Sequence, residues 1–458
     1  MNSLTSGQRK LVYAGGILFL MVFVILLGKP SEGALGSGGV VSDLREKYKL
    51  GDATLGNVDP ASSTMNLVLL GFRGIAASIL WNDAEHYRMT KNWSQLQQAA
   101  DSITLLQPHF KKVWQYQAWN LGFNVSAECD AVEDRYFWVK QGAKYLIRGT
   151  ARNTQFPELE FECGRFFGQK IGNADEKEQF RKFFVHDPDE SRWDKKGDGD
   201  INPRNIDNFL VSKEWYQKAN DSVEKDGLEQ HIMDFPLFVA YPHHSQMGFA
   251  AAYENDGHFD DVAINAWVTA HQEWTEIYGR KVFSAAGNGI RFTMEATIPE
   301  LEKLSQEPND HQTVEQKRFW QSRYHGTVNY PYWKLRCEAE QKPEMLEVHR
   351  NFYLGKKAFK EEGNYPKAGD LLEKGAQALQ TVIDMKEFAR DSADGRSELL
   401  KNDEQLTEDA LKSLLILERV RDGLPMGDFP LKEVWEHPNF ASQKEDLREK
   451  FKRIHGQN

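Results

Sequence analysis

The stretch RNFYLGKKAFKEEGNYPKAGDLLEKGAQALQTVI, residues 350–383, decides the fold of this chain. Apolar residues recur there at steps of three and four on both sides of Gly363-Asn364, a pattern typical of two amphipathic helices joined by a tight turn. Tyr365 follows the turn and is expected to pack back between the helices, while Ala368 on the second helix allows close approach. The stretch therefore predicts a helical hairpin.

Two other stretches share this pattern. Residues 79–108 turn at Lys91-Asn92, residues 245–274 turn at Gly257, and an aromatic residue follows each turn. Such hairpins are similar to the tetratricopeptide repeat (TPR), a unit of about 34 residues with an aromatic residue and alanine at these offsets. The copies are far apart, so a non-repetitive helical domain is the alternative. We predict an all-α fold: an irregular TPR-like helical-hairpin solenoid that follows one N-terminal transmembrane helix.

The transmembrane prediction rests on LVYAGGILFLMVFVILLG, residues 11–28, which contains no charge. A helix of roughly 17–25 apolar residues spans a bilayer. Arg9 and Lys10 precede the run, so the positive-inside rule predicts that the N-terminus stays inside. A cleaved signal peptide is the alternative, but its apolar part is usually shorter and is followed by an A-x-A site. We therefore predict a single-pass inner (cytoplasmic) membrane protein with an extracytoplasmic bulk.

The chain divides into seven predicted regions. In order they are a cytoplasmic arm (1–10), the anchor (11–28), a spacer (29–64), an N-terminal helical-hairpin region (65–183), an acidic loop (184–207), a middle helical region (208–345) and a C-terminal TPR-like hairpin and tail (346–458). Glycine and serine are frequent in the spacer, as is typical of flexible linkers.

Composition excludes several classes of function. The 458 residues carry a formal net charge of −11. This charge argues against a nucleic-acid partner, because a protein that binds nucleic acid usually has a basic face. Aromatic residues make up 12% of the chain, which indicates a well-packed globular body and not a disordered one. Cys129, Cys163 and Cys337 are too sparse for a disulfide framework. The sequence leaves two alternatives for these cysteines: a Cys129–Cys163 disulfide bridge or three buried thiols.

Several blocks of the body resemble one family. They are the residues 67–146 that begin LVLLGFRGIAAS, ECGRFFGQKIG (162–172), NFLVSKEWYQKA (208–219), the residues 249–280 that begin FAAAYENDGHFD, and LPMGDFPL (424–431). The similarity is to an uncharacterised family of membrane-anchored, TPR-like bacterial proteins of the planctomycete type. The resemblance implies the anchor and the helical body, and it brings no catalytic residues with it.

One loop resembles a calcium site. Residues 194–202, DKKGDGDIN, space acidic residues as an EF-hand-type or dockerin-type loop does, with candidate ligands Asp194, Asp198 and Asp200. Lys196 places a cation at position 3, and Asn205 stands where position 12 requires an acid. An acidic, solvent-exposed loop is the alternative, so calcium is the one cofactor that we retain as a candidate and none is firmly expected.

Catalytic motifs are missing from the sequence. It contains no HExxH, no ExxH pair, no G-x-x-x-x-G-K-[ST] and no G-x-S-x-G, and the thirteen histidines form no recognisable metal motif. We therefore expect no enzyme. The expected function is a membrane-anchored, non-catalytic scaffold that binds an envelope or membrane protein, touches the bilayer through residues 11–28 and binds no nucleic acid.

Six aromatic residues support an alternative function. They either line a groove that binds a glycan or a peptide or fill the core of the hairpins: Trp114, Trp119, Phe123, Tyr136, Phe137 and Trp138. An envelope metal protein or enzyme is the third interpretation.

Overall fold

The structure is a computed structural model, and it describes residues 6–28, 73–285, 289–307, 312–388, 397–425 and 427–455. These residues are mostly helical, which confirms the all-α class. Strands β1 (Phe283–Ser284) and β2 (Arg291–Phe292) form one short antiparallel pair, in which Phe283 lies opposite Phe292. The predicted spacer at 29–64 lies outside the described residues.

The first ten α-helices within the described ranges are α1 (Ser6–Gly28), α2 (Arg73–Met89), α3 (Trp93–Leu106), α4 (Lys111–Trp119), α5 (Val132–Arg152), α6 (Pro157–Arg165), α7 (Lys177–Val185), α8 (Glu190–Trp193), α9 (Asn208–Glu224) and α10 (Phe235–Asn255). They are followed by α11 (Asp261–Gln272), α12 (Ile298–Ser305), α13 (Val314–Val328), α14 (Tyr330–Glu340), α15 (Pro343–Lys360), α16 (Tyr365–Ile383), α17 (Glu398–Asn402), α18 (Glu404–Val420), α19 (Lys432–Glu436) and α20 (Ala441–His455).

The prediction of a single-pass membrane protein is wrong. Helix α1 covers the apolar run at residues 11–28, but no helix in the described part of the chain is both long enough and apolar enough to cross a membrane. Crossing needs both properties in one helix.

The three predicted helical hairpins are present. They consist of α2 with α3, α10 with α11, and α15 with α16, and in each pair the two helices pack along one another. Lys91, Gly257 and Gly363 have positive φ angles of 57°, 89° and 62°, which let the chain reverse in each turn. Asn364 then caps α16, since its side chain accepts a hydrogen bond from the Lys367 N–H at 3.2 Å. Turn residues thus set the hairpin boundaries.

Helices α15 and α16 approach each other closely because a glycine on each helix faces a large side chain on the other. A Cβ atom on Gly375 would lie 2.5 Å from Cδ1 of Phe352, and one on Gly355 would lie 2.7 Å from Cγ of Leu372. Phe352 and Leu372 are buried in a core shared with α18. Ala368, the small residue from which close approach was predicted, is also buried.

Three α-helices continue directly into a turn of π-helix. Helix α4 continues into Asn120–Val125, α6 into Phe166–Ile171, and α11 into Glu273–Tyr278. A π-helical turn adds a residue to the repeat, so the following side chains leave the face that a 3.6-residue period assigns to them. Such insertions are frequent at functional sites.

The chain divides into two compact units. Unit 1 comprises Met1–Cys163 and Asp221–His231, and unit 2 comprises Gly164–Asn220 and Ile232–Asn458. The core of unit 1 contains Val113, Tyr136 and Leu146. In unit 2 one core is formed by α15, α16, α18 and the C-terminal helices. The predicted acidic loop at 184–207 begins in the last two residues of α7 and is otherwise irregular except for the single turn α8.

Candidate functional site

Unit 1 presents a row of aromatic rings, here called the aromatic strip, formed by Trp81, Tyr116, Trp119 and Phe123. Successive ring centroids lie 5.0, 6.5 and 6.1 Å apart, and the last pair is stacked. Tyr116 is 40% exposed and Trp119 is 45% exposed, although both belong to helix α4. Large aromatic surfaces left in water on a packed helix are candidates for a binding surface.

The six aromatic residues singled out in the sequence differ in how deeply they are buried. Trp114 and Tyr136 are buried in the core, as the alternative interpretation expected, and the Trp114 indole donates a hydrogen bond to the Pro108 carbonyl at 2.9 Å. Trp119 and Phe137 are exposed. Phe123, within the π-helical turn, and Trp138 are half-buried. The core interpretation is therefore confirmed for Trp114 and Tyr136, and a groove that binds a glycan or a peptide stays a prediction.

An ion pair borders the aromatic strip. Arg88 donates to both carboxylate oxygens of Glu85, at 2.6 and 3.0 Å, and both side chains lie close enough to Tyr116 to influence its pKa. The hydrogen bond from Arg88 lowers the pKa of Glu85, so the pair is charged at neutral pH. The aromatic strip thus has exposed rings beside the guanidinium group of Arg88, which the Glu85 carboxylate holds in place.

Unit 2 contains a cavity of about 550 Å³ between helices α7, α9 and α10. That volume lies in the range of small-molecule sites. Its aromatic lining consists of Phe209, Tyr216, Tyr241, Trp267 and Trp333. Its charged lining consists of Lys177, Glu178, Arg181, Asp256 and Arg336. Aromatic walls with a few charged groups are the usual composition of a ligand site.

Arg181 holds one wall of this cavity in place. Its guanidinium group donates to Asn208 Oδ1 and to Asp256 Oδ2, both at 2.7 Å, and lies 3.0 Å from Asp207 Oδ2. Burial raises the pKa of Asp207 in spite of the Arg181 charge. The guanidinium also lies over the Phe209 ring, 5.4 Å from its centroid. Arg181 is therefore already paired by protein carboxylates.

His244 contributes a neutral polar group to the cavity wall. Its ring lies between Trp274 and Trp333, with centroid distances of 5.3 and 5.2 Å. Burial, with a smaller contribution from the neighbouring His243, lowers the pKa of His244 to about 4. Its Nε2 atom is buried and has no hydrogen-bond partner. At neutral pH the imidazole is uncharged and one nitrogen remains unsatisfied.

A buried cluster of ionisable residues lies in the same unit. His349 Nε2 is 2.7 Å from Glu340 Oε2 and 3.9 Å from Glu254 Oε2. Arg336 Nε lies 3.6 Å from Glu340 Oε1 and 3.4 Å from Asp403 Oδ2. We call Glu254, Glu340 and His349 the buried triad. Arg336 connects the triad to the cavity, because the same side chain also lines the cavity wall.

The pKa values of the triad respond to burial and to mutual attraction. Burial lowers the pKa of His349, but the Glu340 and Glu254 carboxylates outweigh it and raise that pKa to about 9. Burial raises the pKa of Glu254 to about 7, against the opposing charge of His349. For Glu340, the cations His349 and Arg336 outweigh burial and lower the pKa. The carboxylate of Glu340 is therefore the strongest anion of the triad.

The predicted calcium ligands of the acidic loop differ in their burial and in their contacts. Asp198 is buried, and its Oδ1 accepts a hydrogen bond from the Asp200 N–H at 3.0 Å, as in an Asx turn. Asp194 and Asp200 are exposed, and Asp200 Oδ2 lies 3.9 Å from Arg192. In the described residues, the set of three potential ligands that comes together is the buried triad, not these aspartates. Calcium binding at the loop stays a prediction.

The three cysteines are free thiols in the structure, so the Cys129–Cys163 bridge is not formed. Cys163 and Cys337 are buried and Cys129 is half-buried. Burial raises the pKa of Cys337 to about 12, which leaves it protonated and unreactive at neutral pH. None of the thiols belongs to the buried triad.

No model of a known protein family matches this chain, and no curated protein is significantly similar to it. Membership of the membrane-anchored, TPR-like bacterial family therefore stays a prediction. The buried triad was missed in the sequence because Glu254, Glu340 and His349 come from helices that lie far apart along the chain or follow no ligand motif. Glu254 and Glu340 lie at helix ends, but acidic residues are too frequent there to be a specific signal.

Proposed function

We propose that this protein is a non-catalytic, helical-hairpin scaffold that binds a partner protein through the aromatic strip. The three hairpins support a TPR-like organisation, since repeats of this kind present surfaces for other proteins and need no catalytic groups. The sequence contains no G-x-x-x-x-G-K-[ST] phosphate-binding motif, no G-x-S-x-G nucleophile motif and no HExxH zinc-protease motif. The observation that carries the proposal is the exposure of Tyr116 and Trp119.

The composition of the strip favours a protein as its ligand. Tryptophan, tyrosine and arginine are the residue types that contribute most to protein–protein binding energy, and Trp81, Tyr116, Trp119 and Arg88 occur together here. The rings are supported by each other and by helix α4, so little side-chain freedom is lost on binding. A preorganised aromatic surface of this kind suits an apolar face on a partner.

The test compares two alanine variants with a matched control. Trp119→Ala and Tyr116→Ala remove exposed rings of the strip, whereas Phe319→Ala removes a 60% exposed ring in helix α13 of unit 2. A hot-spot truncation costs about 2 kcal/mol or more, which is roughly a 30-fold loss of affinity. Partner binding should fall by that factor in the strip variants only. Equal binding by all three variants and wild type refutes the proposal.

The cavity of unit 2 favours a second candidate function, the binding of a glycan or a short peptide. Tyr216 and Tyr241 form a ring pair 4.9 Å apart at its wall, and the buried Nε2 of His244 offers an unsatisfied polar atom nearby. A ligand at 100 times its dissociation constant stabilises the folded protein by about 2.7 kcal/mol. A thermal-shift screen with oligosaccharides and peptides tests this, and Tyr241→Ala should abolish any shift that arises in the cavity.

A further inference from the structure

Three potential metal ligands meet inside unit 2, each from a different helix. Glu254 lies near the end of α10, Glu340 ends α14, and His349 lies in the first half of α15. One ligand atom of each residue lies within 4.8 Å of the other two. Convergence of two carboxylates and an imidazole from separate elements is the arrangement that protein sites for divalent transition metals use.

The spacing of these atoms fits a single ion after small movements. Ligands at about 2.0–2.1 Å from a tetrahedral zinc ion lie roughly 3.3 Å from one another. The distance from His349 Nε2 to Glu340 Oε2 is 2.7 Å and that to Glu254 Oε2 is 3.9 Å, so each differs from the ideal value by about 0.6 Å, in opposite directions. A modest shift of the imidazole toward Glu254 brings both distances to the ideal value.

The charge of the cluster also fits a divalent cation. A bound divalent ion would displace the proton that His349 shares with Glu340, which is released to solvent, and the ion with two carboxylates and the remaining neutral imidazole would carry no net charge. Arg336 with Asp403 forms a second neutral pair beside them. Burial of unbalanced charge is expensive, so neutrality of the loaded site is a requirement that this cluster meets. No cysteine belongs to the triad, so the ligand set is one nitrogen and oxygens, which suits zinc, cobalt or manganese.

Glu254 supplies an independent indication of a ligand. The residue is only 5% exposed, yet its Oε1 atom accepts no hydrogen bond. The Trp267 indole lies beside the carboxylate and lowers its pKa, but the two do not meet with hydrogen-bond geometry. The oxygen of Glu254 that faces His349 is Oε2, so a cation held by both carboxylate oxygens would remove the cost of leaving the buried Oε1 without a donor.

Groups around the triad would support a bound ion. Arg336 lies against the second oxygen of Glu340, at 3.6 Å, and can orient that carboxylate as outer partners of metal ligands do. Three protein ligands leave a fourth position for water or another group. Because the ligands come from α10, α14 and α15, a bound ion would link three helices of unit 2.

We propose that Glu254, Glu340 and His349 form a binding site for one divalent transition-metal ion, with zinc as the best fit. The site stands independently of the aromatic strip, which lies in unit 1. The ion stabilises the packing of the three helices, and no reaction is assigned to it.

The experiment titrates the full-length, chelator-treated protein with Co²⁺, followed by visible absorption, and with Zn²⁺, followed by elemental analysis after gel filtration. Wild type should bind one equivalent of either metal and show the absorption of nitrogen- and oxygen-ligated Co²⁺. The isosteric variant Glu254→Gln and the variant His349→Gln should each lose at least 100-fold in affinity. Asp198→Asn, in the acidic loop, is the matched control and should bind as wild type does.

Far-UV circular dichroism confirms that each variant is folded, and Glu340→Gln provides a third ligand variant if one of the others is not. Absence of a stoichiometric metal in wild type overturns the proposal. It is also overturned if the triad variants keep wild-type affinity, or if only Asp198→Asn loses the metal, which would place the ion in the acidic loop.

Discussion

The substitution Gly375→Ala tests the close approach of helices α15 and α16. In an exposed helix interior, alanine is more favourable than glycine by about 1 kcal/mol, so propensity by itself predicts stabilisation. The new Cβ atom would lie 2.5 Å from Cδ1 and 2.7 Å from Cε1 of Phe352, and 3.3 Å from Cβ of Asn351. Ordinary contacts of this kind need about 3.4–4 Å, so the Phe352 ring must move by about 1 Å.

Phe352 is buried and its surroundings leave it little room. Overpacking of a well-packed core costs about 1–3 kcal/mol, to which the strained neighbour Asn351 adds. Against the gain of about 1 kcal/mol from propensity, we expect Gly375→Ala to lower the free energy of unfolding by about 1–2 kcal/mol. The packing term should win because the contacted atoms belong to a buried ring and not to the end of a flexible chain.

Gly326→Ala provides the matched control. Gly326 lies inside helix α13, it is exposed, and a Cβ atom there would meet no atom within 4 Å. This variant should stabilise the protein by about 0.5–1 kcal/mol. Urea denaturation followed by far-UV circular dichroism measures both variants against wild type. If Gly375→Ala stabilises the protein as much as Gly326→Ala does, the close packing of α15 against α16 is refuted.

Two further predictions concern buried groups. Burial holds the folded pKa of His244 near 4, below its ordinary value of 6.5, so its neutral form stabilises the fold above pH 6.5 and that contribution is lost as the pH falls toward 4. Between pH 7 and pH 5 the loss is about 2 kcal/mol, and it should be absent in His244→Phe when unfolding free energies are compared at the two pH values. Of the three thiols, only the half-buried Cys129 should react with a disulfide reagent in the native protein, and all three should react in urea. Rapid labelling of Cys163 or Cys337 in the native state would contradict their burial.

The hairpins could be predicted from the sequence because their signals are local. Spacing of apolar residues at three and four positions identifies the helices, and residues such as Gly363 and Asn364 mark the turns. Both signals lie within about 34 residues, and the structure follows them in all three hairpins. The apolar run at residues 11–28 is also a local signal, but the membrane crossing predicted from it is wrong.

The candidate sites could be predicted only in part. Trp119 and Phe123 were singled out, but their exposure depends on where α4 packs and on the π-helical turn at Asn120–Val125, which changes the period of the helix. Gly168 of the cavity lies in a second such turn. The buried triad depends on tertiary packing of three helices, and no spacing in the sequence reports that Glu254 meets His349.

The central claim is that the aromatic strip binds a partner protein, and site-specific photo-crosslinking in living cells tests it most directly. A photoreactive phenylalanine analogue replaces Trp119 in one variant and Phe319, an even more exposed ring of unit 2, in another. We expect one discrete crosslinked protein from position 119, lost on Tyr116→Ala, and none from position 319. Absence of a crosslink from position 119, or the same products from both positions, would contradict the account.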